Sequence, residues 1–303
     1  MTGRGLLNVV RIIQSHILKY SSVATKQTPA EYCHELVRKY DHENYICTLP
    51  LSSKTRSIGF SIRAFNVEVA LVLEQVYDSK IGQMKLKFWT DALNNTYNGN
   101  PPRIPVMLEL DRVLKEKCSL SKRYFKRLID VRSEYLNNCL LLNMNAIEKY
   151  AEYSTSSIYY LLLEGHGITD VNADHAASHL GKAQGIINLI RSVPRNANIR
   201  VNMLPQDILM KHGVSTEAIF QGQTNQGLQD AIYDIASYGK QHLDMAISLT
   251  HKLEKDIRVI FLPILCLENY LDALRKADFN IFDTKLQRSK STLPFRILWK
   301  TFF

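Results

Sequence analysis

Apolar residues recur at spacings of three and four along almost the whole chain, and no alternating run is long enough for a strand. A first helix is predicted from Tyr32 to Tyr40, with Thr28-Pro29 as its start signal. A long apolar helix follows from Ile58 to Val76. Another runs from Lys80 to Tyr97 and is closed by Asn98-Gly99-Asn100-Pro101-Pro102, the strongest break in the sequence. Further helices are expected over 104–117, 122–137, 145–164 and 228–253, and from Val259 to Arg275 around Pro263. The helix over 122–137 sets a basic side against Tyr124, Phe125, Leu128, Ile129 and Tyr135. The pattern predicts an all-α protein with one domain over residues 29–303, its helices too apolar for a simple surface-stripe bundle.

The stretch from Asp174 to Asp207 is the most informative. Leu180, Ala183, Ile187 and Ile190 give it a buried helical face, and Ala176, Ala177, Gly181, Ala183 and Gly185 allow close approach of neighbouring helices. From Pro194 onward it is expected to leave the helix as a basic loop ending in Leu204-Pro205-Gln206-Asp207. Gln184, Asn188 and Arg191 stand on or beside the apolar face. They form either satisfied core hydrogen bonds or a binding site. A buried Arg191 needs a partner, and Glu68 or Glu74 is the expected one; Arg63 carries the same ambiguity.

Composition narrows the function classes. The formal charge is +9, and no acidic residue precedes Glu31, whereas Arg4, Arg11, Lys19 and Lys26 are positive. Those four account for much of the excess, so nucleic-acid binding is not implied. Residues 1–28 have the acid-free, hydroxyl-bearing, amphipathic character of a mitochondrial transit peptide. No later window is apolar enough to span a bilayer. Five scattered cysteines without a CxxC pair argue against a disulfide framework or a zinc site.

His175 and His179 have ligand spacing on a helix beside Asp174, but no third ligand is indicated, and polar helix-start residues are the simpler reading. Ser154-Thr155-Ser156-Ser157 lacks a nucleophile elbow, and its hydroxyls are expected to bond back to the preceding turn. No glycine-rich phosphate loop is present. The tail interleaves Lys285, Arg288, Lys290, Arg296 and Lys300 with Leu293, Phe295, Ile297, Leu298, Trp299, Phe302 and Phe303. It suits either an anionic membrane surface or docking of the aromatics on the domain.

Two stretches resemble the squalene/phytoene synthase family. That family carries A-F-C-R-x-x-D-D-x-x-D on one helix, and Ala64-Phe65 falls on its Ala-Phe. Its second motif is Q-x-x-N-x-x-R-D-V-x-x-D, followed by Leu-Pro-Gln-Asp. Gln184, Asn188, Arg191, Val193 and then Leu204-Pro205-Gln206-Asp207 are read onto it, and Tyr150 onto a tyrosine of the preceding pocket helix. The resemblance implies the isoprenoid synthase helical fold and a pocket framed by Arg63, Glu68, Glu74, Tyr150, Gln184, Asn188 and Arg191. It also implies that carboxylates have been lost. The motif aspartates fall on Ala70, Leu71, Ser192 and Asn196, and Glu74 alone keeps a carboxylate. Mg²⁺-assisted ionisation of an allylic diphosphate needs carboxylates from two facing helices, so neither that activity nor a bound metal or other cofactor is expected.

The segments RAFNVE, DHAASHLGKAQG and AIYDIAS resemble the non-catalytic mitochondrial branch of the family, assembly factors for respiratory complex I. The resemblance implies a peripheral protein on the matrix side of the inner membrane. It would bind a complex I subunit, another assembly factor or a lipid, and not nucleic acid. The competing expectation is a prenyl- or lipid-modifying transferase with a rearranged site.

Overall fold

A computed structural model describes residues 27–76, 78–116, 119–138, 141–287 and 293–302. Almost all of the predicted transit peptide therefore lies outside the described residues, as do Arg288, Lys290 and Phe303 and the side chains of Leu298, Trp299, Lys300 and Phe302.

The described residues form helices and no strand. Helix α1 (Pro29–Tyr40) begins with a capping box, Thr28 Oγ1 accepting from the Glu31 N–H while Glu31 accepts from the Thr28 N–H. It packs with α2 (His42–Thr48) on α3 (Ser53–Glu74). Helices α4 (Ser79–Tyr97), α5 (Pro105–Lys115) and α6 (Lys122–Asn138) complete the first layer. Phe65 locks α3 to α4 and α6, meeting Trp89 and Phe125 edge-to-face with centroids 5.9 and 5.1 Å apart.

The stretch expected as one helix over 145–164 is interrupted. Helix α7 (Met144–Ala151) passes through a π-helical turn, Glu152–Ser156, into α8 (Ser157–His166). The widened turn lies against α9 (Val171–Asn198) where α9 carries glycine. A Cβ on Gly181 would enter the van der Waals shell of Ser156, and one on Gly185 that of Ala151. The Ser156 hydroxyl crosses to the Ser178 carbonyl at 3.0 Å, not back into its own turn as the sequence suggested.

Helix α9 also overturns an expectation at its far end. It runs through Pro194 to Asn198, so the basic loop begins five residues later than predicted. A mid-helix proline costs roughly 3 kcal/mol. Here the turns around it stay tied by buried Ile190, Val193 and Ala197 and by the Asn196–Ser192 hydrogen bond. Ile199 caps the helix and Arg200 follows it with a left-handed φ of 55°, the Val201 N–H returning to the Asn196 carbonyl at 2.9 Å. The Leu204-Pro205-Gln206-Asp207 run then fastens α10 (Gln206–Lys211) by backbone bonds from Gln206 and Asp207 to the Leu141 and Leu142 carbonyls.

After α11 (Thr216–Phe220), helix α12 (Gln226–Thr250) forms, with α9, the most extensive helix pairing among the described residues. Pro263 does not sit inside a helix as predicted. A short α13 (Lys255–Arg258) and a 3₁₀ turn precede it, and it starts α14 (Pro263–Lys276) from the first turn, where its missing N–H is not needed. The final α15 (Leu293–Phe302) buries Leu293 and Ile297 against Leu262, Cys266 and Cys47, and leaves Phe295 exposed. No helix of the described residues is long and apolar enough to cross a membrane.

Candidate functional site

Facing stripes of α3 and α9 enclose a cavity of about 670 Å³ that α6, α7 and the π turn close from the side. From α3 it receives Asn66, Val67, Ala70, Leu71, Leu73 and Glu74. Along α9, Gln184, Asn188, Ser192 and Asn196 follow at single-turn spacing. Tyr150 adds a ring from α7 and packs edge-on against Tyr135 at 6.1 Å.

The four positions read as lost ligands all line this cavity. Ala70 and Leu71 make its α3 wall apolar. Opposite them, Ser192 Oγ donates to the Leu189 carbonyl at 2.8 Å and accepts from Asn196 Nδ2 at 3.0 Å, so the two side chains satisfy each other. Glu74, the remaining carboxylate of the first motif, pairs with Arg195 rather than with Arg191. A Mg²⁺–diphosphate cluster requires several converging carboxylates, and these residues do not fit one. No group of three or more His, Cys, Asp or Glu side chains among the described residues could hold a metal ion.

Three expected pocket residues do not reach the cavity. Glu68 lies two residues from Ala70, on the opposite face of α3, where it accepts from the Tyr32 hydroxyl at 2.7 Å. Arg63 lies two turns before Ala70, buried, and meets Asp41 at 3.8 Å, with its Nε unpartnered. Asp41 itself lines the cavity. Burial raises its pKa, opposed by the Arg63 charge and an Asn44 hydrogen bond. Arg191 falls beside the α9 stripe. Its partner is neither Glu68 nor Glu74 but Glu43 on α2, at 2.7 Å, and its guanidinium stacks 4.5 Å over the Tyr270 ring.

Gln184 is split between the two readings. It touches the cavity, but its carbonyl accepts from the buried Tyr159 hydroxyl at 2.6 Å and its amide donates to Asn44 at 3.3 Å. It stands four residues before Asn188, one more than the motif spacing, so Gly185 takes the motif position and Gln184 serves the core. Asn188 is exposed within the cavity.

Arg132 was not singled out in the sequence, yet Phe125, Leu128, Ile129 and Arg132 share one apolar stripe, and a charge in such a stripe is the signal that marks it. Arg132 is 5% exposed and lines the cavity. His175 is exposed, and no group of three or more His, Cys, Asp or Glu side chains among the described residues joins it and His179 in a metal site. His179 instead meets His242 on α12, Nδ1 to Nδ1 at 2.9 Å.

The squalene/phytoene synthase family profile matches residues 37–293. This chain belongs to the squalene/phytoene synthase family. It is similar to "NADH dehydrogenase (ubiquinone) complex I, assembly factor 6" of Homo sapiens, 41% identical over 263 residues, 87% of this chain and 79% of that protein. The Drosophila melanogaster homologue of that factor is 38% identical over 90% of this chain and 83% of its own length. Among solved structures, the squalene synthase HpnC from Alicyclobacillus acidocaldarius superposes with a TM-score of 0.72 at 19% identity, over 83% of this chain and 95% of that one. At that identity the likeness shows the fold, which is the all-helical one expected from the sequence.

Proposed function

We propose that this chain is an assembly factor for NADH:ubiquinone oxidoreductase, respiratory complex I, and that it acts by binding rather than by catalysis. The non-catalytic part is supported by Ala70, Leu71, Ser192 and Asn196, which line the cavity at the positions that the family resemblance reads as metal-binding carboxylates. The assembly role is supported by relatives that carry that name and align over most of both chains. Residues 1–28 serve as the transit peptide, and the protein works at the matrix face of the inner membrane without spanning it. Its partner is a complex I subunit or another assembly factor.

Disrupting the gene in cells and separating all respiratory complexes on native gels tests the role. Selective loss of complex I is expected; equal loss of every complex would refute it. A transferase with a rearranged site would instead show Mg²⁺-dependent turnover of farnesyl or geranylgeranyl diphosphate by the purified protein.

A further inference from the structure

We propose that Arg132 and the apolar walls beside it form a metal-independent receptor for an amphiphile with a single anionic head, a carboxylate or phosphate on a hydrocarbon chain. The proposal rests on the reading that this cavity has lost its metal clamp, and it names what the cavity takes instead.

The argument begins with charge. Arg132 is buried, and no carboxylate among the described residues lies within salt-bridge distance of it. Its hydrogen bonds go to neutral oxygens, Nη1 to the Leu128 carbonyl at 2.6 Å and Nη2 to Asn66 Oδ1 at 2.8 Å. These use two of the five N–H donors of a guanidinium. The phenol of Tyr150, whose pKa is raised by burial, stays neutral and gives no counter-charge. The other cavity cations are already matched, Arg195 by Glu74 and Arg200 by Glu217, and Asp41 faces Arg63.

An uncompensated buried guanidinium is costly to hold, and its planar fork matches a carboxylate or phosphate. It shares the cavity with Val67, Leu71, Leu73, Ile158, Leu189 and Met203. That wall suits a hydrocarbon chain, and the cavity of about 670 Å³ falls within the roughly 300–1,000 Å³ range of small-molecule sites. One unpaired cation receives the head, so a carboxylate or a phosphate monoester suits it and a diphosphate, which needs a metal to offset its charge, does not.

The test uses the intact chain, purified and delipidated, in EDTA. Palmitate, hexadecyl phosphate, uncharged hexadecanol and inorganic phosphate are compared by calorimetry and thermal shift. The two charged amphiphiles are expected to bind more tightly than hexadecanol and inorganic phosphate, with affinities that Mg²⁺ leaves unchanged. Arg132→Gln should weaken the charged amphiphiles about tenfold or more while leaving hexadecanol unaffected. Arg132→Lys should fall between, and the surface variant Arg38→Gln, outside the cavity, should match wild type. A purely structural Arg132 would change stability without changing head-group preference. Equal binding of palmitate and hexadecanol by the wild type overturns the proposal even if the Arg132 variants do not fold. Inorganic phosphate binding as tightly as hexadecyl phosphate overturns it too. These outcomes leave the assembly role intact, because that role is read from complex I in cells.

Discussion

Asn196 donates its amide to Ser192 Oγ across one turn of α9, 3.0 Å apart, at the two positions that the resemblance reads onto aspartates of the family's second motif. With Ala70 and Leu71 on the facing helix, the pair leaves a cavity without converging carboxylates at these four positions. Wild-type thermal stability is therefore expected to be indifferent to millimolar Mg²⁺. Writing aspartate into all four positions should lower stability by roughly 1–3 kcal/mol without metal, because like charges converge, and Mg²⁺ should restore part of the loss. Scanning calorimetry with and without the ion measures both. A Mg²⁺ response from the wild type would mean the clamp had survived in another form.

Gln184 and Glu43 separate core from surface. Gln184→Leu strands the buried Tyr159 hydroxyl and should cost about 1–3 kcal/mol. Glu43→Gln removes only a half-exposed ion pair and leaves Arg191 stacked on Tyr270, so it should cost less than about 1 kcal/mol. Chemical denaturation of the two variants checks the order, and a reversed order would return Gln184 to the cavity as a ligand group.

The approach of α9 to the π turn depends on the absence of a side chain at Gly181. Gly181→Ala places a methyl against Ser156 backbone and should destabilise by roughly 1–3 kcal/mol or more. Asn188→Ala, in an exposed position on the same helix, should stay within about 0.5 kcal/mol. Comparable losses from both would show that the close contact is not the constraint.

His179 and His242 share a proton between their Nδ1 atoms at 2.9 Å, an arrangement in which at least one ring is neutral. Both pKa values lie below the ordinary 6.5, chiefly through burial, aided at each ring by the Lys182 charge, and opposed by Glu148 and Glu152. A depressed imidazole binds its proton more readily when unfolded. The stability held by the pair is therefore complete above pH 6.5 and drains as pH falls below that value. His242→Gln should flatten the loss of stability between about pH 6.5 and 5, measured by urea titration at each pH. An unchanged slope would assign the dependence elsewhere.

Helix existence and the family itself were legible because both rest on local spacing and short motifs. Phe65, Leu180 and Ile187 are buried as their periodicity demands. What the sequence concealed depended on the opposing helix. Arg191 could be seen to need a carboxylate, but α2, which supplies Glu43, was not predicted as a helix. Pro194 reads locally as a stop, and only the burial on both sides of it keeps α9 going. Arg132 is marked by its place in an apolar stripe, but nothing in a one-dimensional pattern shows that Asn66 rather than a carboxylate meets it.

Complementation tests the central claim, complex I assembly without metal-diphosphate chemistry, most directly. Cells lacking the gene would receive Glu74→Gln, which removes the last carboxylate of the first motif at the expense of an ion pair with Arg195 that is largely open to solvent. Fully assembled complex I on native gels, at the level restored by the wild type, is the predicted result. Absence of complex I despite normal abundance of the variant, with Arg195→Gln still competent, would contradict it.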